Sequence, residues 1–139
     1  MEGTSLLIIS NNWFLIKTIV TPAGPRFFWA PAYIKSEGLD SIEKKNSEKS
    51  KLIYDEIDRN KCFIGFSDNN DRSHMNATFN LADGYDADLF KSICSDNHIS
   101  GINGHRSVGG FRASIYNALD IESVKTLITC MKEFESNYN

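Results

Sequence analysis

Between residues 39 and 81 the spacing of apolar side chains changes period, and that change restricts the folds open to this 139-residue chain. Residues 39–57 are rich in Lys, Glu and Ser, with Ile42, Lys49 (by its alkyl stem), Ile53 and Ile57 near one face, which predicts an amphipathic helix. Lys44/Glu48 and Lys51/Asp55 stand four apart and Glu48/Lys51 three apart, spacings worth about 0.2–0.5 kcal/mol each on an exposed helix. The charge run therefore reads as a solvated face, not a binding site. Further on, Met75, Ala77, Phe79 and Leu81 alternate with Asn76, Thr78 and Asn80, the period of a half-buried strand. Residues 62–66 are also strand-like, and the polar cluster 67–71 between the two runs predicts a hairpin.

Residues 86–95 predict a short helix, capped by Asp86 or Asp88, with Leu89, Phe90 and Ile93 as its apolar stripe. Short strands are expected over 99–102 and 111–116, with a turn at 107–110. A closing helix starts at Asp120, whose side chain can accept from the amide near Ser123, and carries Val124, Leu127, Ile128, Met131 and Phe134 at helical spacing. This order gives an α+β domain, an antiparallel or mixed sheet with helices packed on one face. Residues 1–34 fit the pattern poorly. They are aromatic-rich (Trp13, Phe14, Phe27, Phe28, Trp29) and broken by Pro22, Pro25 and Pro31. They predict an irregular N-terminal segment with short strands, ahead of a domain over 35–139.

A chain that is 41% hydrophobic and 24% charged is an ordinary globular one. At this length it buries roughly 70% of its unfolded surface, enough for one core without staples. A net charge of -3 and a pI near 5.6 argue against nucleic acid or an anionic membrane as a partner, since both need a basic field. The apolar stretch 5–20 is interrupted by Asn11, Asn12 and Lys17, whereas a bilayer span needs about 20 mostly apolar residues. Glu2 stands where a secretion signal would be basic, so the expected location is cytoplasmic. Cys62, Cys94 and Cys130 are widely spaced and match no zinc or redox motif, so no metal is expected and buried free thiols are.

Chemistry concentrates in residues 104–114. Gly109-Gly110 permits positive φ or close backbone approach to a ligand, and His105, Arg106 and Arg112 flank it. A guanidinium presents a planar fork of donors that matches carboxylate or phosphate in bidentate fashion. Strand alternation sends Phe111, Ala113 and Ile115 to the core face and Arg112, Ser114 and Tyr116 to the other. Taken alone, two arginines and a histidine beside a turn favour surface ion pairs.

Residues 104–118, Gly-His-Arg-Ser-Val-Gly-Gly-Phe-Arg-Ala-Ser-Ile-Tyr-Asn-Ala, resemble the signature near the C-terminus of phosphoserine aminotransferases. The likeness extends to Ile42-Glu43-Lys44-Lys45-Asn46 with residues 51–58, to Arg72-Ser73-His74-Met75-Asn76, and to the closing helix from Glu122-Ser123-Val124 to Glu133-Phe134-Glu135. It covers about residues 36–135.

The resemblance implies the small C-terminal domain of a class V, fold type I pyridoxal-phosphate aminotransferase. Such homodimers move an amino group from glutamate to 3-phosphohydroxypyruvate, giving 2-oxoglutarate and O-phosphoserine in serine biosynthesis. It assigns Arg112 to the substrate α-carboxylate. His105 and Arg106 go to the substrate phosphate or the glutamate side chain, across the dimer interface. The family's aldimine lysine and pyridinium-binding aspartate belong to a large domain with no recognisable counterpart here, so no catalytic residue is assigned. Near the N-terminus two alignments compete: Thr21-Pro22 as the neighbouring-subunit contact to the cofactor phosphate, or Lys17 to Gly24 as a distorted copy of the lysine segment. A third reading assigns neither. The expected function is the substrate anion clamp of such an enzyme, not catalytic alone, as a homo-oligomer or paired with a large domain. Alternatives are a non-catalytic module that binds phosphoserine or glutamate, and a protein that pairs with an intact aminotransferase.

Overall fold

The computed structural model describes residues 7–8, 18–21, 24–27 and 37–138. Short strands β1 (Leu7–Ile8), β2 (Thr18–Thr21) and β3 (Gly24–Phe27) lead to helix α1 (Leu39–Arg59) and strand β4 (Phe63–Gly65). A 3-10 turn (Asn69–Asp71), β5 (Asn76–Leu81), α2 (Ala87–Asp96), β6 (Ile99–Ser100), β7 (Phe111–Ser114) and α3 (Ile121–Ser136) follow. The main sheet has the antiparallel order β4-β5-β7, with β2 and β3 forming a separate antiparallel pair. Residues 99–102, expected as a strand, form one only over Ile99–Ser100. That strand pairs in parallel with β1 outside the main sheet.

Both sheet faces follow from the alternation in β5 and β7. Ala77, Phe79, Phe111 and Ala113 are buried beneath the helices, and the register sets Phe79 opposite Phe111 and Ala77 opposite Ala113. Thr78 opposite Arg112, Asn76 opposite Ser114, and Ile64 opposite Asn80 make up the other face. Each helix turns an apolar stripe toward the first face, giving the expected α+β layering. At the centre is Phe90, fully buried. Its ring lies 5.0 Å from Phe63, 5.1 Å from Phe111 and 5.4 Å from Phe134, mostly edge to face. Such pairs contribute about 0.5–1.5 kcal/mol each beyond area burial.

Polar ties hold the helices in register with the core. Arg59 bridges Glu56 and Glu135, each at 2.7 Å, linking the end of α1 to α3. Buried Asn60 donates to Glu56 and to the Met131 carbonyl, and accepts from the Cys62 amide. Asp86 caps α2 by accepting from the amides of Asp88 and Leu89, and Asp120 caps α3 by accepting from Ser123 at 2.7 Å. Among the spacings read as α1 ion pairs, Lys51–Asp55 closes at 2.6 Å. All three cysteines are free and buried. A hydrogen bond to Cys130, reinforced by burial, keeps the Cys94 thiol protonated well above its ordinary range.

Lys49 departs from expectation. The helix pattern placed only its alkyl stem on the apolar face, yet the whole residue is buried, 2% exposed. Its ammonium leaves the helix axis toward residues 115–119, where carbonyl oxygens replace water. Burial pushes this amine below the usual lysine range, and nearby Asp120 opposes that shift.

Arg72 donates to both oxygens of Asp58 (2.7 and 2.6 Å) and lies 4.6 Å over the Tyr54 ring, fastening the hairpin to α1. These bonds hold the Asp58 carboxyl below its ordinary value. A depressed carboxyl favours folding above its unfolded pKa of about 3.9, and the benefit disappears as pH falls through the folded value. Acid titration of the unfolding midpoint is therefore expected to show a shallower decline below pH ~4 for Asp58→Asn than for the parent. In urea unfolding, Asp120→Ala is expected to cost about 1 kcal/mol through the lost cap.

Candidate functional site

Beyond β6 the chain returns alongside β7. The Arg112 amide donates to the Ile102 carbonyl and the Gly104 amide to the Gly110 carbonyl, both at 2.8 Å, with Asn103 bridged to Phe111. The tip closes where the His105 carbonyl accepts from the amides of Val108 (3.0 Å) and Gly109 (2.8 Å). Only glycine fits three of these positions. A Cβ on Gly104 would lie 2.0 Å from the Gly109 carbonyl oxygen, and one on Gly110 would lie 1.9 Å from Asn80 Oδ1. Gly109 and Gly110 adopt φ of 75° and 66°, the left-handed region. This close approach lays the loop over the open face of β5.

The result is a concavity of about 170 Å³ whose wall includes Phe66, Thr78, Asn80, His105, Val108 and Arg112. Arg112 rises half-buried from β7 beside Thr78. His105 is fixed by Ser107, whose backbone amide donates to Nδ1 at 3.3 Å and whose Oγ lies 2.8 Å from the same atom. Nδ1 is thus an acceptor, and a neutral ring carries its proton on Nε2, free to donate to an anion. Phe66 and Val108 are 58% and 57% exposed and add apolar surface to that wall.

Of the residues expected to act together, His105 and Arg112 share this concavity. Arg106 does not line it and is exposed on the tip. Thr21 ends β2 opposite Gly24, and its side chain, like Lys17 and Pro22, lies outside the described residues. The sequence reading overlooked Thr78 and Asn80. Their signal was available, because the alternation that turns Ala77 and Phe79 inward turns them toward Arg112. No group of side chains among the described residues could hold a metal ion, and no described helix is long and apolar enough to cross a membrane.

A half-buried guanidinium and an imidazole thus share the open face of an α+β layer. The same elements match known proteins: the profile of the family described as Aminotransferase class-V covers residues 27–127, and the chain belongs to that family. A phosphoserine aminotransferase of Flavobacterium psychrophilum is 52% identical over 99 residues, 71% of this chain and 28% of that protein. That of Bacteroides fragilis is 50% identical over 107 residues, 74% of this chain and 30% of the relative. The solved phosphoserine aminotransferase from Bacillus circulans subsp. alkalophilus superposes with a TM-score of 0.70 at 38% identity, covering 78% of this chain and 30% of that one. A PLP-bound phosphoserine aminotransferase from Trichomonas vaginalis gives 0.67 at 39% identity, covering 73% and 30%. The chain therefore spans less than a third of the length of the relatives it matches.

The glycines separate two costs. Gly109→Ala meets nothing within 4 Å and is expected to lose about 1–2 kcal/mol from the left-handed backbone alone. Gly110→Ala adds a collision with Asn80 and is expected to lose clearly more in the same urea titration.

Proposed function

We propose that this chain is the C-terminal part of a phosphoserine aminotransferase, in which it supplies the clamp for a dianionic substrate. One observation supports this above the others: Arg112 and His105 meet in one concavity beneath a loop that only glycines allow, within the stretch matched to the class-V family. In this reading residues 35–139 are the aminotransferase portion and 1–34 a separate lead-in. The reaction of the whole enzyme is transfer of an amino group from glutamate to 3-phosphohydroxypyruvate, in the cytoplasm, by a homo-oligomer or by this chain paired with a large domain. A free-standing binding module draws less support, because each relative described above is a longer aminotransferase.

Pyridoxal phosphate, the family's cofactor, supplies an aldehyde that bonds the amino group and a ring that accepts electrons. The described residues do not fit the protein's half of that chemistry. Among them no lysine lines the concavity, and the buried Lys49 directs its ammonium into backbone carbonyls. What they fit is the substrate. Arg112 holds the α-carboxylate by two parallel hydrogen bonds, and His105 donates from Nε2 toward the phosphate or the second carboxylate, with Arg106 adding positive charge from the tip. Gripping both ends fixes the orientation of the Cα–H bond, a positioning effect.

Calorimetric titration of the full chain with O-phosphoserine tests the clamp. Arg112→Ala is expected to weaken binding roughly ten- to a hundredfold, the range for a lost charge-assisted hydrogen bond. Equal affinity in that variant would refute the assignment. Borohydride treatment with one equivalent of pyridoxal phosphate is expected to label no single lysine stoichiometrically, leaving only scattered modification of exposed amines. A modified Lys17 with glutamate-dependent turnover would instead make the chain an enzyme in its own right.

A further inference from the structure

We propose that Lys49 is the positioning residue for Arg112, holding the anion-binding strand in register through a ring of backbone carbonyls. The inference rests on the reading of Arg112 as the group that grips the substrate. Lys49 Nζ donates to the carbonyls of Tyr116 (2.8 Å), Leu119 (3.0 Å), Ile115 (3.3 Å) and Asn117 (3.5 Å). Three N–H bonds shared among four acceptors make a cation site filled by a side chain. It is the one buried lysine among the described residues.

Geometry connects that site to Arg112. Strand β7 has four residues, and its exit is the segment whose carbonyls converge on Lys49. Upstream it is held by β5 and by residues 102–104; downstream the Ile115 amide donates to the Met75 carbonyl at 2.9 Å, and then Lys49 takes over. One turn earlier on α1, Asn46 donates to Asn117 Oδ1 at 2.6 Å, a second hold on the same segment. Carbonyl dipoles aimed at one point repel each other unless a cation or donor sits among them. Without the ammonium, residues 115–119 must rotate some of those oxygens outward. The nearest strand residue facing the concavity through that motion is Arg112, three positions before Ile115.

The test uses the full chain with Lys49→Met, Lys49→Ala and, as a destabilised control remote from the site, Asp86→Ala. Affinity for O-phosphoserine and the Arg112 Nε–Hε resonance are read on each. Lys49→Met is expected to bind roughly tenfold more weakly, as for one misdirected charge-assisted hydrogen bond, and to shift the Arg112 signal. Asp86→Ala is expected to lose stability while keeping affinity and signal. Lys49→Ala is expected to recover affinity in ammonium chloride but not in tetramethylammonium chloride of equal ionic strength, because only the small cation with N–H bonds fits the ring. Parent-like affinity and an unmoved Arg112 signal in Lys49→Met would overturn the proposal, as would equal affinity losses in Asp86→Ala. A parent that does not bind O-phosphoserine refutes the clamp reading instead. The Arg112 resonance then decides Lys49 by itself, moved in Lys49→Met for the proposal and unmoved against it. If Lys49→Met unfolds, Lys49→Arg, with a wider planar head, carries the same comparison.

Discussion

The packing of Phe63, Phe79, Phe111 and Phe134 around the Phe90 ring is the constraint on which the rest of this structure depends. These rings come from two helices and three strands, so one cluster sets the distance between the helical layer and the sheet. Edge-to-face geometry is directional, and rings held this way resist sliding as well as separation. Because the core is close-packed on one side only, the opposite sheet face remains for polar work. Thr78, Asn80 and Arg112 occupy that face because Ala77, Phe79, Phe111 and Ala113 occupy the other.

Site chemistry is then a matter of what covers the open face. The loop from Gly104 to Gly110 lies so near β5 that a methyl group would collide with Asn80 or with the loop's own carbonyl. Absence of side chains here is a structural requirement. The loop sets His105 and the apolar Val108 in the same concavity as the Arg112 guanidinium.

The chain spans under a third of the length of the relatives it matches, and its own buried lysine is committed to structure.

Much was readable in the amino-acid order alone. The period of Met75 to Leu81, the caps at Asp86 and Asp120, and the buried stripes of the helices are set by neighbours within a turn or two, and the structure agrees with them. Strand alternation placed Arg112 on the face away from the core, where the structure sets it opposite Thr78. Other features arose only from distant segments meeting. Lys49 looked like a surface residue with a buried stem because its acceptors lie at least 66 residues away and are backbone oxygens, which no side-chain pattern reports. The fit of Gly110 against Asn80, the separation of Arg106 from the concavity, and the pairing of Ile99–Ser100 with β1 likewise depend on tertiary approach. Local periodicity is written in the sequence because it concerns side chains that share one element. Which backbone atoms lose their water, and what replaces it, is decided only when the elements close on one another.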